Sequence, residues 1–192
     1  MIEKKNTNTL IAPGLLIAPP IDQRSYFSES VILMTSHESD GSMGFVLNKT
    51  APLMLSQVFN ELELELDVPD RPVLSGGPVS EYVGFILYEH QPHEPHPDSM
   101  MLTPTLSISP AHPVLEAAGK GVFGDRFELL LGYSGWGPGQ LDNELETGYW
   151  LHYELVPGLL FQSKTDGLYQ QTCRHMGIEL GKYLHVQGGA QA

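Results

Sequence analysis

Phe127-Glu128-Leu129-Leu130-Leu131-Gly132-Tyr133-Ser134-Gly135-Trp136-Gly137-Pro138-Gly139-Gln140 decides how the chain folds. Its first half, over 127–133, reads as a strand. Leu129-Leu130-Leu131 is apolar on both faces, so that strand needs cover on both sides. The second half is a glycine-rich turn that opens a helix from Pro138 to near Gly148. Proline suits a first helical position, where its missing N–H would have no partner in any case. Gln140 then falls at the third position and reaches back toward the cap. Asp142 and Glu144 suit the positive end of the helix dipole, and Leu141 and Leu145, four apart, share one apolar face. Trp136, in a glycine-flanked bend, is expected to be at least partly buried and to pin the turn to the core.

Outward from this segment, short runs rich in Val, Ile and Phe alternate with turn residues, the pattern of strands joined by tight turns. They fall at 15–18, 30–36, 43–48, 73–75, 83–89 and 149–155. Val31-Ile32-Leu33-Met34 is again apolar on both faces. The first three strands follow one another closely, which favours antiparallel pairing. Helices are fewer. One is expected over 56–63 with Ser56 as cap, although the tail Glu61-Leu62-Glu63-Leu64-Glu65-Leu66 alternates like a strand. A second starts at Ser109-Pro110 and stops at Gly119, and another runs over about 166–180. A βαβ alternation is not sustained. The expectation is α+β: one domain over 1–192, with a flexible N-terminus over 1–9 and no linker longer than 88–103.

Composition bounds the function. The 192 residues are 41% hydrophobic, enough for a sizeable core. Ten Lys and Arg against 23 Asp and Glu leave a formal net charge of -13. The cations are dispersed, so no basic stripe exists for a phosphate backbone, and direct nucleic-acid binding is not expected. One cysteine excludes an internal disulfide and fits a reducing compartment. The apolar run over 10–19 is broken by Pro13 and Gly14, too short to span a membrane and unlike a signal peptide. The expected location is the cytoplasm, where the sequon Asn48-Lys49-Thr50 is a chance match.

Several clusters invite a chemical reading. His90, His93 and His96 recur every third residue among Pro92, Pro95 and Pro97. In a polyproline helix they would share a face but stand about 9 Å apart, so chelating one cation would require the loop to fold back. No metal and no cofactor is expected. Ser134 almost stands in a nucleophile elbow, but Trp136 replaces the second glycine. A dinucleotide loop starting at Gly135 fails at Gln140. Cys173 beside Arg174 and His175 reads as a buried, inert thiol, because adjacent helical residues point apart. His37 ends an apolar strand beside Glu38 and Asp40, and Glu61 to Asp70 is a solvated acidic face.

The order of these motifs resembles the YqgE/AlgH family of bacterial proteins. Gly14-Leu15-Leu16-Ile17-Ala18-Pro19 is followed by Phe27, Ser30-Val31-Ile32-Leu33, His37, Gly41 and Gly44-Phe45-Val46-Leu47-Asn48. Then come Gly76-Gly77-Pro78-Val79, Gly84-Phe85-Ile86-Leu87, and the block from Gly132 through Trp136 to Leu141, with Trp150 behind. The resemblance covers about 10–160. It implies a single α+β domain whose mostly antiparallel, bifurcated sheet curls into a pseudo-barrel with a few flanking helices. It supplies no catalytic residue, and some members carry a transcriptional-regulator label. Asp142-Asn143 stands here where a glutamate is usual.

No catalytic set assembles from these residues. The expected function is therefore non-catalytic binding of a protein or small ligand, with a regulatory effect. The candidate surface is Asn48, Gly76, Gly77, Pro78, Ser134, Trp136, Gly139 and Gln140. The competing expectation is a hydrolase with an atypical site around Ser134 or His37.

Overall fold

Ten strands join in one mostly antiparallel sheet in the computed structural model, which describes residues 10–20, 25–161 and 165–178. The expected flexible start over 1–9 lies outside them. The strands are β1 (Gly14–Ile17), β2 (Val31–Glu38), β3 (Gly41–Val46), β4 (Thr50–Met54), β5 (Pro72–Ser75), β6 (Val79–Glu89), β7 (Met100–Thr103), β8 (Leu106–Pro110), β9 (Phe127–Trp136) and β10 (Leu151–Glu154). Their order is β10-β1-β2-β3-β9-β6-β8-β7, with β5 against β9 and β4 against β5. The sheet curls into a half-barrel flanked by helices.

The expected bifurcation lies in β9. One edge of β9 pairs with β6. The other edge is shared: Leu130 and Leu131 pair with β5, in parallel, and Ser134 to Trp136 pair with β3. The changeover falls at Gly132, whose φ is +69°. A Cβ there would lie 2.4 Å from the Gly77 carbonyl oxygen, and a Cβ on Gly77 would lie 2.2 Å from the Tyr133 carbonyl carbon. Two backbones therefore cross with no space for side chains, which is what makes the glycines necessary.

Three apolar clusters hold the layers. Leu15, Leu33, Phe45, Leu87, Ile108 and Leu130 fill the inside of the curl. Leu55, Phe59, Ile86, Tyr88, Val114 and Phe127 lie under two helices, α1 (Leu55–Glu61) and α2 (Ala111–Gly119). Leu16, Ile32, Met34, Trp136, Leu141 and Trp150 form the third, under α3 (Gln140–Glu146). Burial on both faces of β2 and of β9 agrees with their unbroken apolar runs.

Several local expectations fail. Strand β4 and the β7–β8 hairpin fall where no strand was expected, and the hairpin occupies part of the 88–103 linker. Ser56 does not cap α1. Its N–H and hydroxyl both donate to the Asp70 carboxylate, at 2.9 and 2.7 Å. Those bonds pull the Asp70 carboxyl below the usual range, and the remote carboxylate serves the orphan amide instead. The alternating tail after α1 is neither helix nor strand, with Leu64 and Leu66 half-buried. Ser109 makes no capping bond, and Pro110 takes the cap position of α2.

The Pro138 expectation also needs correcting. The helix starts at Gln140, with Gly139 at φ +69° and ψ -3° as its cap. Gln140 N–H donates to the Gly137 carbonyl at 3.1 Å. Proline followed by glycine at those angles is a type II turn, which requires positive φ at its third residue. The short helix α4 (Pro157–Leu160) was not foreseen. The last expected helix is α5 (Thr165–His175), and the end expected for it at 179–180 lies outside the described residues.

Candidate functional site

Glu144, in the middle of α3, organises the ground around the glycine turn. Its Oε2 accepts both indole N–H groups, from Trp136 at 2.8 Å and from Trp150 at 2.7 Å. Its Oε1 accepts the Gln140 side-chain amide at 2.8 Å. The other end of the Gln140 amide accepts the Gly137 N–H at 3.1 Å. One carboxylate thus ties the strand before the turn, the helix after it and the segment that leads into β10. The indole rings meet edge to face at 6.1 Å, a favoured aromatic geometry. Trp136 is 7% exposed and Trp150 is 3% exposed, so Trp136 is buried more fully than the partial burial expected at the least.

This clamp fixes the back wall of a cavity of about 200 Å³ lined by Ala18, Pro19, Ser25, Phe27, Tyr149 and Trp150, with Thr147 and Gly148 at its edge. Phe27 packs edge-on against Trp150 at 5.5 Å. Tyr149 is 58% exposed at the lip. Among the described residues no carboxylate or amine lines the cavity, and the rings and aliphatic carbons that do suit a small apolar or aromatic group, held by contact area and ring geometry.

The remaining candidate residues separate into different places. Gly76, Gly77 and Ser134 are buried at the bifurcation, where Gly76 N–H donates to Leu131 O at 2.7 Å and Val46 N–H donates to Gly76 O at 2.8 Å. Ser134 is 1% exposed and its hydroxyl donates only weakly to the Gly76 carbonyl, at 3.4 Å. Pro78, Gly139 and Gln140 are exposed. Asn48 bridges backbone elsewhere: its Oδ1 accepts Val31 N–H at 2.8 Å and its Nδ2 donates to Glu29 O at 2.7 Å.

His37 acquires partners that the sequence did not suggest. It faces Ser42 across the β2–β3 hairpin, Nδ1 to Oγ 2.7 Å. Its Nε2 lies 3.3 Å from Asp142 Oδ1 at the start of α3. With the proton on Nε2, Asp142 orients the ring and Nδ1 accepts from the Ser42 hydroxyl. This is the order nucleophile, base, carboxylate, with the two ring nitrogens exchanged relative to the serine-protease arrangement. Ser42 is 9% exposed. The same three groups also clamp the hairpin against α3.

Around the histidine-rich loop, both ring nitrogens of His90 are engaged, with Gln91 O at 2.7 Å and Ser107 Oγ at 2.8 Å. Among the described residues no three His, Cys, Asp or Glu side chains gather to hold a metal ion. Cys173 is 1% exposed, and burial pushes its thiol pKa up, away from a reactive thiolate. Phe27, Tyr149, Trp150, Ser42, Asp142 and Glu144 were absent from the candidate surface. Trp150 and the acidic first turn of α3 were visible in the sequence, but the convergence of two indoles on Glu144, one from eight residues before it and one from six after, was not read there.

The AlgH-like family model matches residues 15–181. A UPF0301 protein of Vibrio cholerae is 32% identical over 170 residues, covering 85% of this chain and 90% of that protein. A UPF0301 protein of Anaeromyxobacter dehalogenans is 31% identical over 189 residues, covering 95% and 96%. The solution structure of AlgH from Pseudomonas aeruginosa superposes with a TM-score of 0.73 at 28% identity, over 99% of this chain and 98% of that one. A crystal structure of a Corynebacterium diphtheriae protein shares the fold, with a TM-score of 0.71 at 22% identity and 92% coverage of both.

Proposed function

The chain belongs to the AlgH-like family, and from that premise we propose that it is a non-catalytic binding protein of the bacterial cytosol, acting through partners it engages. The carrying observation is the Glu144 clamp, which holds Trp150 rigidly against an open apolar cavity. A preformed wall of this kind lowers the ordering cost of binding. The ligand class is a small molecule or side chain with an aromatic or branched apolar group. The glycine turn with Trp136 and Gln140 supports the wall from behind and offers its own exposed rim at Gly139. The charge of -13 argues against a nucleic-acid partner. Among the described residues no helix is long and apolar enough to cross a membrane.

A thermal-stability screen against aromatic and branched apolar metabolites tests this reading. A ligand should raise the melting temperature of the wild type, and Thr147→Phe, which sets a ring at the cavity edge, should weaken it about tenfold. Stabilising ligands insensitive to that change would move the site elsewhere. The Ser42–His37–Asp142 chain favours a second reading, a hydrolase that forms an ester at Ser42 Oγ. A fluorophosphonate probe decides it. Stoichiometric labelling of Ser42, lost in His37→Ala, would promote the hydrolase. Absence of labelling at Ser42 and at Ser134 supports binding alone.

A further inference from the structure

A second concave surface lies beside β3 and β9; it shares no lining residue with the tryptophan cavity, although Trp136 of the clamp also borders it. Two depressions, of about 440 and 280 Å³, adjoin there and share Met43 as a common wall. Their floor is a row of rings: Phe45 meets Phe85 at 4.9 Å and Phe85 meets Tyr133 at 6.3 Å, both edge-on. Val79 borders one depression at 36% exposure and Met100 the other at 52%. Carboxylates mark both rims, Glu38 at the end of β2 and Asp40 on the β2–β3 turn, and Asp98 beside β7. Among the described residues no Lys or Arg lines either depression. Arg71, Lys120 and Arg126 are each committed to a carboxylate elsewhere, and Lys49 to Tyr26.

We propose that this groove docks a short basic amphipathic segment of a partner protein. Aromatic and methionine floors accept apolar anchors of varied shape, because the thioether is unbranched and polarisable. Apolar anchors on one face of the segment would enter the two depressions while Lys or Arg side chains on the flanking face meet the carboxylate rims, the helix-in-groove mode of recognition. Charge selects this occupant over the others. A second copy of the chain would bring another net charge of -13 and the same acidic rim to the contact. An anionic lipid surface would be repelled for the same reason.

The test is fluorescence anisotropy of the full-length protein with a labelled Lys/Leu peptide of helical amphipathic pattern, beside the same peptide with every Lys replaced by Glu. The Lys peptide should bind, with affinity falling as salt rises, and the Glu peptide should not. Reversing the rim, Glu38→Lys with Asp40→Lys and Asp98→Lys, should weaken binding about tenfold or more. The control Glu61→Lys with Glu63→Lys and Glu65→Lys changes the net charge by the same amount on an exposed face away from the groove. It should leave affinity within about twofold. Met100→Gln, at an exposed position, should weaken the Lys peptide by about threefold without altering the melting curve. Equal weakening by the two triple reversals would reduce the effect to bulk charge and overturn the proposal. So would an unaffected rim variant, or no binding of the Lys peptide at low salt.

Discussion

Replacing Glu144 by Leu removes the acceptor on which both indoles depend, and its cost follows from the bonds already described. The Trp136 and Trp150 N–H groups both point at Oε2. Both rings are more than nine-tenths buried, so water replaces the lost acceptor poorly. An unsatisfied buried donor costs about 1–3 kcal/mol. Two of them, partly relieved at the solvent side of the helix, give a loss of about 2–4 kcal/mol. Glu144→Gln is the informative control. One amide oxygen placed where Oε2 stood still accepts both indoles, and only the charge assistance and the Gln140 bond are lost, about 1 kcal/mol. Urea unfolding followed by circular dichroism reads both variants, and an unchanged slope would show that stability, not compactness, has moved. Equal stability of the Leu and Gln variants would refute the clamp as an energetic unit.

Gly132 and Gly139 share φ +69° but not their surroundings, since a Cβ at 132 meets the Gly77 carbonyl whereas one at 139 meets nothing within 4 Å. Gly132→Ala should therefore cost more than about 3 kcal/mol and Gly139→Ala only about 1 kcal/mol of backbone strain, measured by the same unfolding assay. Trp136→Ala should cost about 3–5 kcal/mol, while Ser134→Ala, which removes one long hydrogen bond, should change the unfolding midpoint little. His152 is half-buried, and burial lowers its pKa from 6.5 against the opposing pull of the Ile11 backbone and Glu154. The unfolded chain then takes up a proton near pH 6.5 that the folded chain resists, so stability is full above that range and declines as pH falls. His152→Gln should flatten the stability profile between about pH 7.5 and pH 5.5, and an unchanged profile would reject His152 as its source.

Strands apolar on both faces were readable because their burial is written in consecutive residues, as in Val31 to Met34 and Leu129 to Leu131. The type II turn was misread because Pro138 is equally suited to a first helical position and to a turn, and only the positive φ at Gly139 separates them. The β7–β8 hairpin escaped because Ser109-Pro110 carries a helix-start signal although both residues end a strand. Trp136 was recognised from its block, yet its role was not: Glu144 lies eight residues after it and six before Trp150, and the misread turn at Pro138 and Gly139 sets where the helix carrying Glu144 begins. The His37–Ser42 pair follows from hairpin register, which local propensity does not specify.

The protein contains two tryptophans, and both hang on Glu144, but only Trp150 lines the cavity. Fluorine NMR of protein labelled with 5-fluorotryptophan therefore separates the wall of the site from its support. Titration with the aromatic ligand that most stabilises the protein should move the Trp150 resonance, assigned through Trp150→Phe, in saturable fashion while the Trp136 resonance shifts far less. Saturable stabilisation with the Trp150 resonance unmoved would contradict the assignment of this cavity as the binding site.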